Sequence, residues 1–284
     1  MGIMSATPSP ASLQAPSLFA TPAAVPERAP SRQIEGAGTP DATWQAWGGL
    51  ATLPSIRAEQ LVRPGQRAVI IAPHPDDEVL ACGGLLQLLF AQDSRILLVA
   101  VTDGDASHPG STLRPPALLA QQRIRETAAA LDALGLGLGK SANALQVLRA
   151  RLPDGGVAAH IEQLYTLLQQ ILRAEDVVFV TSRGDGHPDH EACGLAAAMA
   201  SRACSATLVE MPVWSWHWAA PGDPRLPWGR ARRLDFGPDI FQRKRQAVTC
   251  FDSQLHPDSS NGQPAVLPPH VLARLLHPYE VYFL

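Results

Sequence analysis

Two short clusters of titratable residues stand out in this chain of 284 residues. The first is Pro73-His74-Pro75-Asp76-Asp77-Glu78. The second is Gly186-His187-Pro188-Asp189-His190. Each follows an apolar run of strand type, at 68–72 and 177–181, and each gives way to a helical pattern. An imidazole and two carboxylates on the turn after a buried parallel strand lie where open α/β sheets build their sites. Imidazole and carboxylate oxygen are zinc-type ligands, and a second carboxylate beside them can act as a base. A strand–turn–helix could also bind a dinucleotide, but that turn needs Gly-x-Gly-x-x-Gly. Here it carries carboxylates instead, which repel a pyrophosphate and attract a cation. The plain alternative is that Asp and Pro are turn residues and that Asp caps helices. Two such clusters in one chain make this the weaker reading.

The elements needed to position these residues can be read from periodicity. Strands are predicted at 68–72, 95–102, 145–148, 177–181, 207–211 and 279–283, several of them continuous apolar runs of the fully buried kind. Helices are predicted at 78–92, 118–134 (stopped by Gly135), 157–173, 190–203 and 240–251. Asp154-Gly155-Gly156 reads as a turn. The alternation predicts an α/β fold, a Rossmann-like and mostly parallel sheet with helices on both faces and the site at the C-terminal strand ends. Beyond strand 207–211 comes Trp214-Ser215-Trp216-His217-Trp218. Tryptophans at period two would form an aromatic wall, facing either the pocket or the core.

Composition bounds the rest. Residues 1–45 are rich in Pro, Ala, Ser and Thr. They are expected to form a disordered or extended arm, one version of which packs on a neighbouring subunit through Trp44 and Trp47. The globular domain is then expected over 46–284. A net charge of −3 argues against a nucleic-acid partner. No apolar run approaches the ~20 residues of a membrane span, and no secretory leader pattern is seen. The four cysteines are scattered and form no Cys-x-x-Cys, which fits reduced core residues and a cytoplasmic protein. A homo-oligomer is left open.

Taken together, the two motifs resemble those of the PIG-L, or LmbE-like, superfamily of metal-dependent deacetylases. Weaker matches run from about residue 67 to the C-terminus: Thr102-Asp103-Gly104-Asp105, Arg123-Ile124-Arg125-Glu126, Lys244-x-x-Ala247 and Ser253-Gln254. The resemblance implies that His74, Asp77 and His190 bind Zn²⁺, with Fe²⁺ also suited to such ligands. It implies Asp76 as general base and His187 as general acid or oxyanion stabiliser. Asp189 would hold His187 in the right tautomer. Arg123 would reach the substrate, or else form an i,i+3 pair with Glu126 on an exposed helix face. Asp105, Trp214 and Trp216 are further candidates for substrate contact. The implied activity is removal of the N-acetyl group from an N-acetylglucosamine-type sugar conjugate. The alternatives are an amidase for a longer N-acyl group on a glycolipid or antibiotic-type amino sugar, and a metal-retaining binding protein without turnover. A two-metal phosphoesterase would need more carboxylates than these loops offer.

Overall fold

A computed structural model describes residues 32–137 and 145–284. The arm expected over 1–45 lies outside the described residues as far as residue 31. Its remainder is a correction. Helix α1 (Asp41–Gln45) forms there, and Trp44 is 1 % exposed within the core. An indole buries more apolar area than the surrounding Pro/Ala-rich composition suggests. It rests edge-on against Trp216, at 5.0 Å between ring centroids, and its Nε1 donates to the Trp216 carbonyl at 2.9 Å. Two short helices follow, α2 (Gly48–Ala51) and α3 (Ala58–Leu61).

The sheet core then alternates strand and helix: β1 (Arg67–Ala72), α4 (Asp77–Ala91), β2 (Arg95–Thr102), α5 (Pro116–Ala133), β3 (Leu145–Leu152), α6 (Ile161–Ile171, preceded by a 3₁₀ turn at Val157–His160), β4 (Val177–Thr181), α7 (Pro188–Cys204) and β5 (Thr207–Met211). The C-terminal part adds α8 (Ser215–Trp218), β6 (Ala231–Asp235), α9 (Pro238–Val248), α10 (Asp252–Leu255), α11 (Pro269–Leu272) and β7 (Tyr279–Phe283). The seven strands lie in the order β3-β2-β1-β4-β5-β7-β6. The first five are parallel, and β7 runs antiparallel to both its neighbours.

Period two on β1 explains the layering. Ala68, Ile70 and Ala72 face one core, with Val79, Leu85 and Leu89 of α4 and Phe251 and Tyr282 from the C-terminal part. Val69 and Ile71 face the other, with Leu164 and Leu168 of α6 and Ala196 and Ala200 of α7. Each fully buried Ile or Val contributes roughly 1.5–3 kcal/mol. The strand order reverses direction at β1/β4. A crevice opens beyond the carboxyl ends of strands at such a switch point. Ile71 pairs with Val180 in register, so the loops leaving β1 and β4 emerge side by side. Those loops carry the two His/Asp motifs.

The tryptophan run is not a strand. Ser215–Trp218 is a helical turn, so period two does not sort these indoles onto one face. No helix among the described residues is long and apolar enough to cross a membrane.

Candidate active site and metal centre

The first turn is unusual in its backbone. Asp76 sits at φ 139°, a conformation that costs a non-glycine residue of order 1–3 kcal/mol and that clusters at functional sites. Local bonds hold it there. Its carbonyl accepts from the amides of Val79 and Leu80, each at 2.9 Å, opening α4. Its own amide donates to Glu78 Oε2 at 3.1 Å. Arg123 of α5 clamps the turn from above, donating to the Pro75 carbonyl at 2.7 Å and to Asp76 Oδ2 at 3.1 Å. Arg123 also donates to the Gly104 carbonyl at 3.1 Å. A Cβ on Gly104 would lie 2.3 Å from that guanidinium, and φ there is +68°, so glycine is required. The i,i+3 pair with Glu126 does not form: Arg123 is buried, and Glu126 instead accepts from Ser253.

His74, Asp77 and His190 meet at one point. His74 Nδ1 lies 3.2 Å from His190 Nε2 and 3.4 Å from Asp77 Oδ2, and His190 Nε2 lies 3.2 Å from the same oxygen. Tetrahedral ligands about 2.0–2.1 Å from a zinc ion stand ~3.3 Å apart, which matches this triangle. The outer ring nitrogens are occupied. His190 Nδ1 meets Asp185 Oδ2 at 2.8 Å, and His74 Nε2 meets Asp189 Oδ2 and Asp154 Oδ1, each at 3.2 Å. Carboxylates on the outer nitrogens hold both rings with their inner nitrogens turned to the shared point. Two imidazole nitrogens and a carboxylate oxygen, which also accepts from the His74 amide at 3.0 Å, form a donor set that fits a divalent metal once the imidazole protons are displaced.

The electrostatics agree. Burial alone would lower the His190 pKa, but the Asp77 charge and the Asp185 hydrogen bond raise it to about 9. His74 is likewise raised against its burial by Asp154, Asp189 and Asp77. Asp77, against its burial, is held far below the ordinary range by His190 and His74. Burial pushes Asp76 up to about 7 despite the Arg123 charge. Burial and the Asp76 charge push Glu78 up to about 8.

His187 stands apart from the triangle. Its ring centroid is 4.8 Å from both His74 and His190, and the three histidines form a cluster that could hold an ion. It caps α7, with Nδ1 accepting from the Asp189 amide at 3.2 Å. Its proton therefore rests on Nε2. Burial, together with the His190 and His74 charges, lowers its pKa to about 4, so the ring is neutral at pH 7.

One sequence expectation is corrected here. The Asp189 carboxylate does not hold His187. It faces His74 and accepts from the Gly155 and Val157 amides at 2.7 and 3.1 Å. Its position one residue into α7 points it across the crevice, toward the turn after β3.

A cavity of about 270 Å³ opens over these groups. Its lining combines polar groups, among them Asp76, Ser107, Arg123, Asp154 and Gln254, with apolar ones such as Leu80, Val213, Trp214, Leu267 and Val271. Trp214 lines the cavity. Trp216 does not: it packs against Trp44 and Trp228, and its Nε1 donates to the Pro212 carbonyl. Asp105 lies on the bordering loop, but its neighbours Ala106 and Ser107 do the lining. Three residues of the site escaped the sequence reading. In the sequence Asp154 reads as part of a turn, Asp185 lies just before the second motif, and Gln254 belongs only to a weak C-terminal match. Asp185 also accepts from the amides of Val213, Trp214 and Ser215, tying the tryptophan turn to His190.

Fold and site together define an α/β domain with a His/Asp metal-type centre at the switch point of a parallel sheet. A profile of the PIG-L family, described as GlcNAc-PI de-N-acetylase, matches residues 69–201, which contain both motifs. Over these residues the chain is similar to the LmbE-like deacetylases. It is 28 % identical over 175 residues to a 1D-myo-inositol 2-acetamido-2-deoxy-alpha-D-glucopyranoside deacetylase of Streptomyces scabiei. That match covers 51 % of this chain and 53 % of the relative, so the chain spans about half the length of the curated relative it matches. Two solved structures share the fold. The zinc-inhibited form of teicoplanin deacetylase Orf2 superposes with TM-score 0.52 at 21 % identity, over 67 % of this chain and 85 % of that one. N,N'-diacetylchitobiose deacetylase from Pyrococcus horikoshii gives TM-score 0.50 at 19 % identity, over 67 % and 71 %.

Proposed function

We propose that this protein is a metal-dependent deacetylase that hydrolyses the N-acetyl amide of an N-acetylglucosamine-type sugar or sugar conjugate. The observation that carries the reading is the His74–Asp77–His190 triangle, with edges of 3.2–3.4 Å. These three residues would hold Zn²⁺, or Fe²⁺ in its place. When bound, the ion makes a water nucleophilic at neutral pH and polarises the amide carbonyl.

The chain's own residues supply the remaining chemistry. Asp76 adjoins a ligand, lines the cavity and is the group placed to take the proton of the attacking water. Arg123 holds that carboxylate in the strained turn and is a positioning residue in this account. His187 presents a neutral Nε2–H, which suits a hydrogen bond to the developing oxyanion. Asp185, Asp189 and Asp154 orient the ligand imidazoles. In the cavity lining, Ser107 and Gln254 offer partners to sugar hydroxyls. Gln254 Oε1 is buried and has no partner among the described residues.

The apolar residues of the lining favour a second reading, an amidase for a longer N-acyl group. A release assay decides between them. Metal-loaded protein is incubated with N-acetyl and N-octanoyl forms of glucosamine and its conjugates, and free amine is measured. Faster release from the N-acetyl substrates supports the first reading, and faster release from the N-octanoyl substrates supports the second. No release from any of them, with metal bound, would favour a metal-retaining binding protein.

A further inference from the structure

Helix α4 carries Asp77 in its first turn, yet it is not one continuous helix. It breaks at Cys82, whose φ of −144° and ψ of 23° are not helical. In an unbroken helix the Gly84 amide would bond the Leu80 carbonyl. Here both groups have partners from the C-terminal part of the chain. The Leu80 carbonyl receives Lys244 Nζ of α9 at 2.8 Å, and the Gly84 amide donates to Glu280 Oε1 of β7 at 2.7 Å. Glu280 Oε2 accepts from the Leu85 amide at 2.9 Å and from the Tyr282 hydroxyl at 2.7 Å. Lys244 Nζ and Glu280 Oε1 close the network at 2.7 Å. Both side chains are buried. Glycines at 83 and 84 admit the approach: a Cβ on Gly83 would lie 3.3 Å from Lys244 Cγ, and one on Gly84 would lie 2.3 Å from the Phe236 ring.

We propose that Lys244 and Glu280 are positioning residues that splint the broken helix and so set the orientation of the turn at 76–80, which presents Asp76 and Asp77 to the site. A buried ion pair is weak evidence for stability, because apolar side chains of similar volume often serve as well or better. This pair does what an apolar pair cannot, since it satisfies both halves of the interrupted backbone bond. The helix can then change direction directly behind the catalytic turn without leaving polar groups orphaned. Leu80, whose carbonyl Lys244 holds, itself lines the site cavity.

The inference rests on the metal-dependent reading, and the experiment separates the two. Full-length wild type, Lys244→Met, Glu280→Gln and the double variant are compared by zinc affinity in chelator competition and by hydrogen exchange of amides 76–85. Where turnover is measurable, kcat and KM are also compared. The double variant leaves no uncompensated charge and is expected to fold. Its zinc affinity should fall on the order of tenfold, as for lost partners of metal ligands. Exchange at 76–85 should accelerate relative to the strands, and kcat should fall while KM holds. A folded double variant with wild-type zinc affinity and wild-type exchange at 76–85 overturns the proposal. If it does not fold, Tyr282→Phe carries the test, since it loosens Glu280 without removing a charge. Weaker zinc binding at an unchanged Tm supports the splint, and unchanged binding overturns it. Wild type that binds no zinc sinks the metal reading instead, and the exchange comparison then judges the splint.

Discussion

Asp76 is the residue on which the proposed chemistry turns, and its neighbours allow its role to be separated from metal binding. Asp76→Asn keeps the shape and removes the proton acceptor. The variant is expected to retain its metal while kcat falls on the order of 10²-fold or more. Near wild-type turnover would remove Asp76 from the mechanism, and loss of metal would show that Asp76 rather than Asp77 is the ligand. Asp185 acts one step further out, since it touches His190 but not the cavity. Asp185→Asn should weaken metal affinity about 10–100-fold, measured by chelator competition. The sequence showed His74, Asp76, Asp77, His187 and His190 because His-x-Asp-Asp and His-x-x-His after strands are rare by chance. It hid Asp154 and Asp185 because an Asp beside a Gly is ordinary turn chemistry. Only the fold brings these two within reach of the ligand imidazoles.

Among the elements, the buried strands were the most legible. The runs at 95–102, 177–181, 207–211 and 279–283 form strands at those residues, because a strand covered on both faces is mostly apolar. Strand β6 was missed. Its sequence Ala-Arg-Arg-Leu-Asp is mostly polar because it lies at the sheet edge, where Pro54 and Ile56 bond only Arg233. The tryptophan run misled because spacing along the sequence does not reveal a turn of helix. Helix α1 was lost in a Pro/Ala-rich context, although its Trp44 reaches the same cluster as Trp216 and Trp228. Trp44→Ala should therefore behave as a core truncation and cost about 3–5 kcal/mol. Urea unfolding of the full chain checks this, and a loss below about 1 kcal/mol would return residues 32–45 to the role of a dispensable arm.

For the whole molecule, the buried charge around the metal site sets how stability depends on pH. In metal-stripped protein His190 is raised from an unfolded value of ~6.5 to about 9. Asp76 and Glu78 are raised from ~4 to about 7 and 8. A group with a raised folded pKa binds its proton more tightly when folded. Its contribution is complete below the unfolded pKa and is lost as pH rises through the folded one. All three act in the same direction, and His187, lowered to about 4, opposes them only below its unfolded value of ~6.5, so the Tm of the metal-free protein should fall between about pH 6.5 and pH 9. Zinc would displace the His190 proton, so the loaded protein should show a flatter slope over the same range. A metal-free Tm that rises from about pH 6.5 to 9 would mean that the site does not carry these charges.

The most direct test of the central claim is the metal content of single variants. Elemental analysis of purified wild type, His74→Ala, His190→Ala and His187→Ala, each shown to be folded by circular dichroism, would measure it. About one divalent metal per chain is expected in wild type and in His187→Ala, and almost none in His74→Ala or His190→Ala, because His187 spends its Nδ1 on the Asp189 amide and stands outside the ligand triangle. A His187→Ala protein that is empty beside a fully loaded His190→Ala protein would contradict the account.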